Sequence, residues 1–311
     1  MTKSDEKSST VLNGLLLVNK PSGKTSHDVV DKVRKILKTK EVGHSGTLDP
    51  LASGLMAVLV GKATKLSPYI TDGDKAYSVE VELGITTDTL DVTGVELSRK
   101  PVTEQVWENL ESTISKKVGQ FNWPVPIYSA VKVQGQKLYE IARSNGTVEL
   151  PVKEMKFWNV KKIKSSSPSS FWVDIECSKG SFIRTWVDQL GSDLGCGAAM
   201  KNLVRTASWP FAIQDAFNFD QLEKMSEAEI QSVIIEMSAS LPQMKKVRVQ
   251  AFDQTLLLNG QLSHDLRRLL IGVVQPESPS FIQVLSKKSQ QLLAIIGFEP
   301  GVGFKIKRVF N

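Results

Sequence analysis

Residues 43–61 read GHSGTLDPLASGLMAVLVG. Gly43, Gly46, Gly54 and Pro50 crowd the first twelve positions around one carboxylate, Asp49. The apolar run Leu55–Gly61 follows, short enough for a central strand. The tract therefore reads as a tight loop feeding a buried strand. Its glycines permit positive φ or close backbone approach. Pro50 bars Asp49 from the α region and keeps its backbone extended. On the residues alone two readings stand. Asp49 caps a helix that starts at Pro50, or it does chemistry. The spacing is not GxxxxGK[ST], which excludes a P-loop.

On the N-terminal side, GLLLVNKP (14–21) reads as a buried strand ending at Pro21, and Thr25 or Ser26 as a helix cap. Val29, Val30, Val33, Ile36 and Leu37 then recur at helical spacing. On the C-terminal side, 63–70 suggests one or two helical turns. AYSVEVELG (76–84) alternates: Tyr77, Val79, Val81 and Leu83 on one face, Ser78, Glu80 and Glu82 on the other. Thr103 with Val106, Leu110 and Ile114 predicts a capped amphipathic helix. Residues 122–155, with three prolines, two glycines and one helix candidate (138–143), predict an excursion from the core. KFWNVKKIK (156–164) and FWVDIECS (171–178) predict strands joined by a flexible SSSPSS. Residues 183–190 and 226–236 predict helices and 200–205 a strand. Strands outnumber regular βαβ units, so the expected class is α+β, with a mixed, largely antiparallel sheet and flanking helices.

The chain has 311 residues, 41% hydrophobic and 23% charged, in the range of ordinary globular proteins. Two cysteines, Cys177 and Cys196, and no CxxC argue for a reducing compartment and against a thiolate metal site. Three scattered histidines argue against a histidine metal cluster. MTKSDEKSST opens a polar segment, and residues 1–12 are expected to be a flexible tail. The apolar run 15–18 is too short for a signal h-region, and no run reaches the length of a membrane span, so a cytoplasmic protein is expected.

The net charge of +6 sits in residues 241–311, which hold ten Lys/Arg and four Asp/Glu; the rest of the chain is neutral. A basic terminal module suits a polyanion, although many basic faces are merely solvated. VRVQAF, FIQVL, LLAIIGF and FKIKRVF predict short strands there around a helix at 263–270, a small barrel-like module. Pro242 and the composition shift mark its boundary.

LLLVNKPSGKTSHDVV (15–30), GHSGTLDPLASGL (43–55), DKAYSVEVELG (74–84), IYSAVKVQGQKLYEIAR (127–143) and CSKGSFIRT (177–185) closely resemble, in order, the motifs of the bacterial TruB family of tRNA pseudouridine-55 synthases. LLLNGQ, LLAIIG and KIKRVF resemble, more weakly, that family's appended PUA-type RNA-binding domain. The resemblance implies a pseudouridine synthase domain over 13–242, with an RNA-contacting insertion at about 122–155, and a β-rich PUA-like domain over 243–311. It implies an isomerase acting on the T-loop uridine at position 55 and binding the T arm and elbow of tRNA. No cofactor or metal is expected, and a monomer fits.

Carried over residue by residue, Asp49 falls on the catalytic aspartate. Tyr77 falls on the tyrosine that stacks on the uracil, and Arg184 on the arginine that pairs with the aspartate. His44 falls on a histidine that meets displaced nucleotides. Leu203 matches an apolar pocket residue, and Lys20 with Pro21 a motif that buttresses the site. By their own patterns Tyr77 and Leu203 read as core residues, Arg184 as a surface cation and His44 as a turn residue. The implied roles suit the reaction. It breaks a glycosidic bond and rejoins the base through carbon with no exchange of electrons. A target base must leave its stack for an aromatic platform, and a cation beside a carboxylate keeps the carboxylate ionised.

Five positions depart from the family pattern. Phe182 stands where tyrosine is usual. Trp123 and Val125 stand for a glutamine and a proline, Val204 for an arginine, and Trp209 for a glycine. The missing hydroxyl and cation motivate a rival expectation, a tRNA-binding or RNA-folding protein with reduced or lost catalysis. The intact Asp49, Tyr77 and Arg184 favour the enzyme.

Overall fold

The computed structural model describes residues 12–71, 73–144 and 146–310. Apart from Leu12, the expected N-terminal tail lies outside them.

A ten-stranded sheet forms the body. From one edge its order is Ile235–Glu236, Gly14–Lys20, Ser53–Val60, Ala198–Ser208, Lys75–Leu83, Ser170–Cys177, Val152–Ser167 and Gly119–Pro124, with Val42–Ser45 against Ser53–Val60 and Phe211–Ala212 against Ala198–Ser208. Every neighbouring pair is antiparallel except Ser53–Val60 with Ala198–Ser208, which run parallel with Val204 opposite Ser53 and Arg205 opposite Gly54. The sheet is therefore mixed and largely antiparallel, as expected.

Two side-chain layers cover it. The Ser26–Leu37 helix starts at a capping box, with Thr25 accepting from Asp28 N and Asp28 accepting from Thr25 N. Its Val29, Val30 and Val33 pack on Leu16, Val18, Met56 and Val58. Elsewhere, Val79, Val81 and Leu83 pack against the helices Glu104–Lys116 and Ile183–Asp193, through Leu110, Ile114, Trp186, Val187 and Leu190.

SSSPSS is no flexible linker. The strand runs through Ser167 and restarts at Ser170. The hydroxyls meet the acidic face of the Lys75–Leu83 strand, Ser166 donating to Glu80 at 2.8 Å and Ser169 to Glu82 at 2.6 Å. That face is thus covered by polar partners and Glu80 is buried. The 122–155 segment is an excursion only in its middle. Its ends lie in the edge strand Gly119–Pro124 and its neighbour Val152–Ser167, paired from Gly119↔Phe157 to Pro124↔Val152. Met155 of the second strand and Val125, just past the first, reach the main core, and so does Leu138 from the short helix Leu138–Arg143. The predicted helix at 226–236 stops at Val233.

The C-terminal module is an open four-stranded sheet, ordered Lys245–Val249, Ser280–Ser286, Leu292–Glu299, Gly303–Val309. Its first strand ends at Val249, and a helix missing from the sequence expectation, Ala251–Leu258, precedes His264–Ile271. Leu285, Leu292, Ile295 and Phe310 pack against Leu15, Leu17, Leu55 and Leu59 of the body. Gln283 donates to Leu241 O at 2.8 Å.

Candidate active site

No helix starts at Pro50, so the helix-capping reading of Asp49 fails. The loop's polar groups are taken elsewhere. Leu48 N donates to Ser26 Oγ at 2.9 Å, and Ser26 Oγ lies 3.1 Å from Leu48 O. Gly23 N donates to Pro50 O at 2.8 Å, and Ser22 Oγ to Leu51 O at 2.8 Å. Only Ala52 N turns back, to Asp49 O at 3.1 Å, before the chain extends at Ser53. The loop is bolted to the turn ahead of the first helix, with Asp49 at its crest. Gly46 (φ 80°) and Gly54 (φ 104°) supply left-handed backbone at its two limbs.

Lys20 is fully buried and grips the loop from below. Its ammonium donates to Lys24 O at 2.5 Å, Pro21 O at 3.2 Å and Pro50 O at 3.4 Å. Burial pushes it down to about 8, against the pull of Asp49.

Arg184 enters from the first turn of the Ile183–Asp193 helix. Its Nε stands 3.1 Å from Asp49 Oδ2. Its Nη1 reaches Thr89 O at 3.0 Å and Asp91 Oδ2 at 3.6 Å, and its Nη2 donates to Tyr128 O at 2.7 Å. The guanidinium is thus aimed by four partners, and the start of the 122–155 segment is tied to it. Asp91 is buried and held in turn by Thr93 N and Thr89 Oγ1, each at 3.0 Å from Oδ1.

Tyr77 lies on the neighbouring strand, half-buried, with its hydroxyl enclosed. Burial pushes the phenol up to about 12; the Arg205 guanidinium works in the opposite direction, and the Asp49 charge adds to the rise. Leu203 is buried opposite Val79, in the core cluster against which Tyr77 packs. Phe182 sits at the N-cap of the arginine's helix and packs on the same cluster. His44 lies in the Val42–Ser45 strand; its Nδ1 is buried and has no hydrogen-bond partner among the described residues. Burial lowers its pKa, with His27 and Arg205 adding to the effect, so the imidazole is neutral at neutral pH.

The structure therefore gathers Asp49, Arg184, Tyr77 and Lys20, with Leu203 and Phe182 in the adjoining core and His44 ahead of the same loop. Sequence reasoning missed two members, Asp91 and Arg205. Asp91 sits in TDTLDVTG, a Thr/Asp turn before glycine whose density of side-chain acceptors was a usable signal. Arg205 is 2% exposed and reaches Gly46, Thr47 and Leu55; a lone arginine in a strand gives no such sign. Among the described residues no group of three or more His, Cys, Asp or Glu could hold a metal ion, and no helix is long and apolar enough to cross a membrane.

Residues 34–183 match the profile of the TruB family pseudouridylate synthase N-terminal domain, and residues 184–242 that of the tRNA pseudouridylate synthase B C-terminal domain. A tRNA pseudouridine synthase B of Bdellovibrio bacteriovorus is 51% identical over 302 residues, covering 96% of this chain and 97% of that one. That of Bacillus subtilis is 42% identical over 223 residues, covering 70% and 72%. Among solved structures, the chain matched in a Cbf5-Nop10-Gar1 complex superposes with a TM-score of 0.70 at 20% identity, over 97% of this chain and 86% of that one, which shows a common fold. With residues 34–242 matched by the two family models and one relative 51% identical nearly end to end, the chain belongs to the TruB family of tRNA pseudouridine synthases.

Proposed function

We propose that the chain isomerises the T-loop uridine at position 55 of tRNA to pseudouridine, with Asp49 as the essential group. The observation that carries this reading is the Asp49–Arg184 pair. The arginine is buried, while the carboxylate is 40% exposed and free to face a nucleotide. The reaction conserves atoms. The C1′–N1 bond breaks, C1′–C5 forms, C5 gives up its proton and N1 gains one. A partly exposed carboxylate beside a fixed cation suits a charge-stabilising or nucleophilic role at C1′ or on the ring.

Flipping the base out costs a few kcal/mol of stacking. The Tyr77 ring returns part of it, since a base on an aromatic face is worth about 1–3 kcal/mol. With its phenol pushed up to about 12, Tyr77 keeps its proton at neutral pH and presents a neutral hydroxyl. Leu203 and Phe182 supply apolar walls, His44 meets displaced nucleotides, and Lys20 holds the loop. The basic 243–311 module, a PUA-like domain, gives a second foothold on tRNA phosphates, and the 122–155 segment approaches the T arm. The protein works in the cytoplasm as a monomer.

The test is single turnover on a tRNA transcript, with pseudouridine mapped by carbodiimide-adduct sequencing. Conversion confined to position 55, and lost in Asp49→Ala, is expected. Conversion elsewhere, none at all, or a normal rate in Asp49→Ala overturns the proposal. Tight tRNA binding with no conversion by the unaltered chain would favour the RNA-folding alternative.

A further inference from the structure

The loop that carries Asp49 is closed from a distant strand. Arg205 Nε donates to Leu55 O at 2.7 Å, Nη1 to Thr47 O at 3.4 Å and Nη2 to Gly46 O at 3.3 Å. These carbonyls lie on both sides of Asp49, so one planar group spans the loop's two limbs. The contact is as close in the backbone. A Cβ on Gly54 would stand 2.4 Å from Arg205 O and 2.7 Å from Arg205 N, so only glycine lets the strands approach this far. On its other side Arg205 is the register partner of Tyr77.

All three of these acceptors are backbone carbonyls. A buried cation without a carboxylate in its hydrogen bonds is costly, and an apolar side chain of like volume would fill the same space more cheaply. What an apolar residue cannot do is hold two chain segments at fixed angles; the rigid guanidinium fork can. Lys20 grips the crest through Pro50 O, and Arg205 grips the flanks.

We propose that Arg205 is a positioning residue of the isomerisation, tying residues 46–47 to residue 55 and so fixing the direction in which Asp49 meets Arg184 and the Tyr77 face. The proposal rests on the reaction assigned to Asp49 above. Arg205 acts through the loop, and it also reaches the Tyr77 hydroxyl on its other side.

Arg205→Lys keeps the charge and loses the fork, and Arg205→Met keeps the volume and loses both. Each is compared with the unaltered protein in tRNA affinity, single-turnover rate at saturating enzyme, and amide hydrogen exchange of residues 46–52. In both variants tRNA binding stays within about twofold while the rate falls on the order of 10²-fold, the penalty of a misplacement near 1 Å. Exchange rises over 46–52 and not over Gly14–Lys20. A variant that melts earlier yet reacts at the unaltered rate per folded molecule overturns the proposal, as does a rate loss matched by lost tRNA binding. If one variant fails to fold, the other decides. If the unaltered chain forms no pseudouridine, the assigned reaction falls, and exchange alone judges the positioning: unchanged protection of 46–52 in Arg205→Lys overturns it.

Discussion

Arg184 Nε stands 3.1 Å from Asp49 Oδ2, yet the arginine side chain is 7% exposed and the aspartate 40%. The pair is asymmetric. Its cation is fixed inside by Thr89, Tyr128 and Asp91, and its anion looks outward. Arg184 orients a charge rather than burying one.

Arg184→Lys should therefore cost activity far more than affinity. A point charge cannot serve Asp49, two carbonyls and Asp91 at once. A drop of about a hundredfold in single-turnover rate is expected, with tRNA binding changed little. Filter binding and rapid-quench kinetics on the same preparation separate the two.

Tyr77 separates ring from hydroxyl. Tyr77→Leu removes the platform and should slow turnover severely, with a loss corresponding to about 1–3 kcal/mol of stacking. Tyr77→Phe keeps the platform. If the hydroxyl joins in proton transfer, Tyr77→Phe is slow as well; a normal rate would assign the whole role to the ring.

Lys20 gives a pH signature. Burial depresses its ammonium to about 8, from an ordinary 10.5. Below about 8 it is charged in the folded and unfolded states alike, and the fold bears the full desolvation cost. Between the two values the unfolded chain holds a proton that the folded chain has shed, so stability rises with pH across that window. Relative to Lys20→Met, the unaltered protein should gain on the order of 1–2 kcal/mol between about pH 7.5 and pH 9.5. Urea titrations of both at the two pH values read the difference; a gap independent of pH would contradict it.

Glu80 gives a slope of the same sign in the acid range. Burial pushes its carboxyl up, but the Asn202 amide, the Ser166 hydroxyl and the Lys201 ammonium outweigh that and hold it below its ordinary value. Its stabilisation is present above the unfolded carboxyl value and lost as pH falls through the folded one. Glu80→Ala strands the Asn202 amide, leaves Ser166 with Ser170 alone, and should cost about 2–3 kcal/mol at neutral pH. Because Lys201 is partly exposed, little of this is Coulombic. The difference from the unaltered protein should shrink in acid.

The strands that build the sheet were legible because their apolar residues alternate or run unbroken: Leu15–Val18, Leu55–Val60 and Tyr77–Leu83 fall where the pattern puts them. SSSPSS misled because composition describes a solvated linker and cannot show two glutamates waiting across the sheet. The 122–155 segment misled because its prolines and glycines hide the ends of two sheet strands whose pairing is non-local. Asp49 stood out from its loop, but its helix-capping reading was wrong, since the chain after Pro50 extends into the Ser53–Val60 strand instead of coiling. Arg205 was invisible because its meaning lies in three carbonyls that become neighbours only once the sheet closes.

The one parallel pairing of the sheet sets a timetable. Leu55 and Arg205, joined at 2.7 Å, are 150 residues apart in the chain. At about 5–20 residues per second, the aspartate's loop leaves the ribosome roughly 8–30 seconds before the strand that closes it. For most of that interval the nascent chain carries Asp49 without Arg184 or Arg205, and Ser53 and Gly54, at the start of the strand, lack their partners. A half-made protein thus carries the loop without the two arginines that hold it, and its unpaired strand start is open to chaperones and to misassembly.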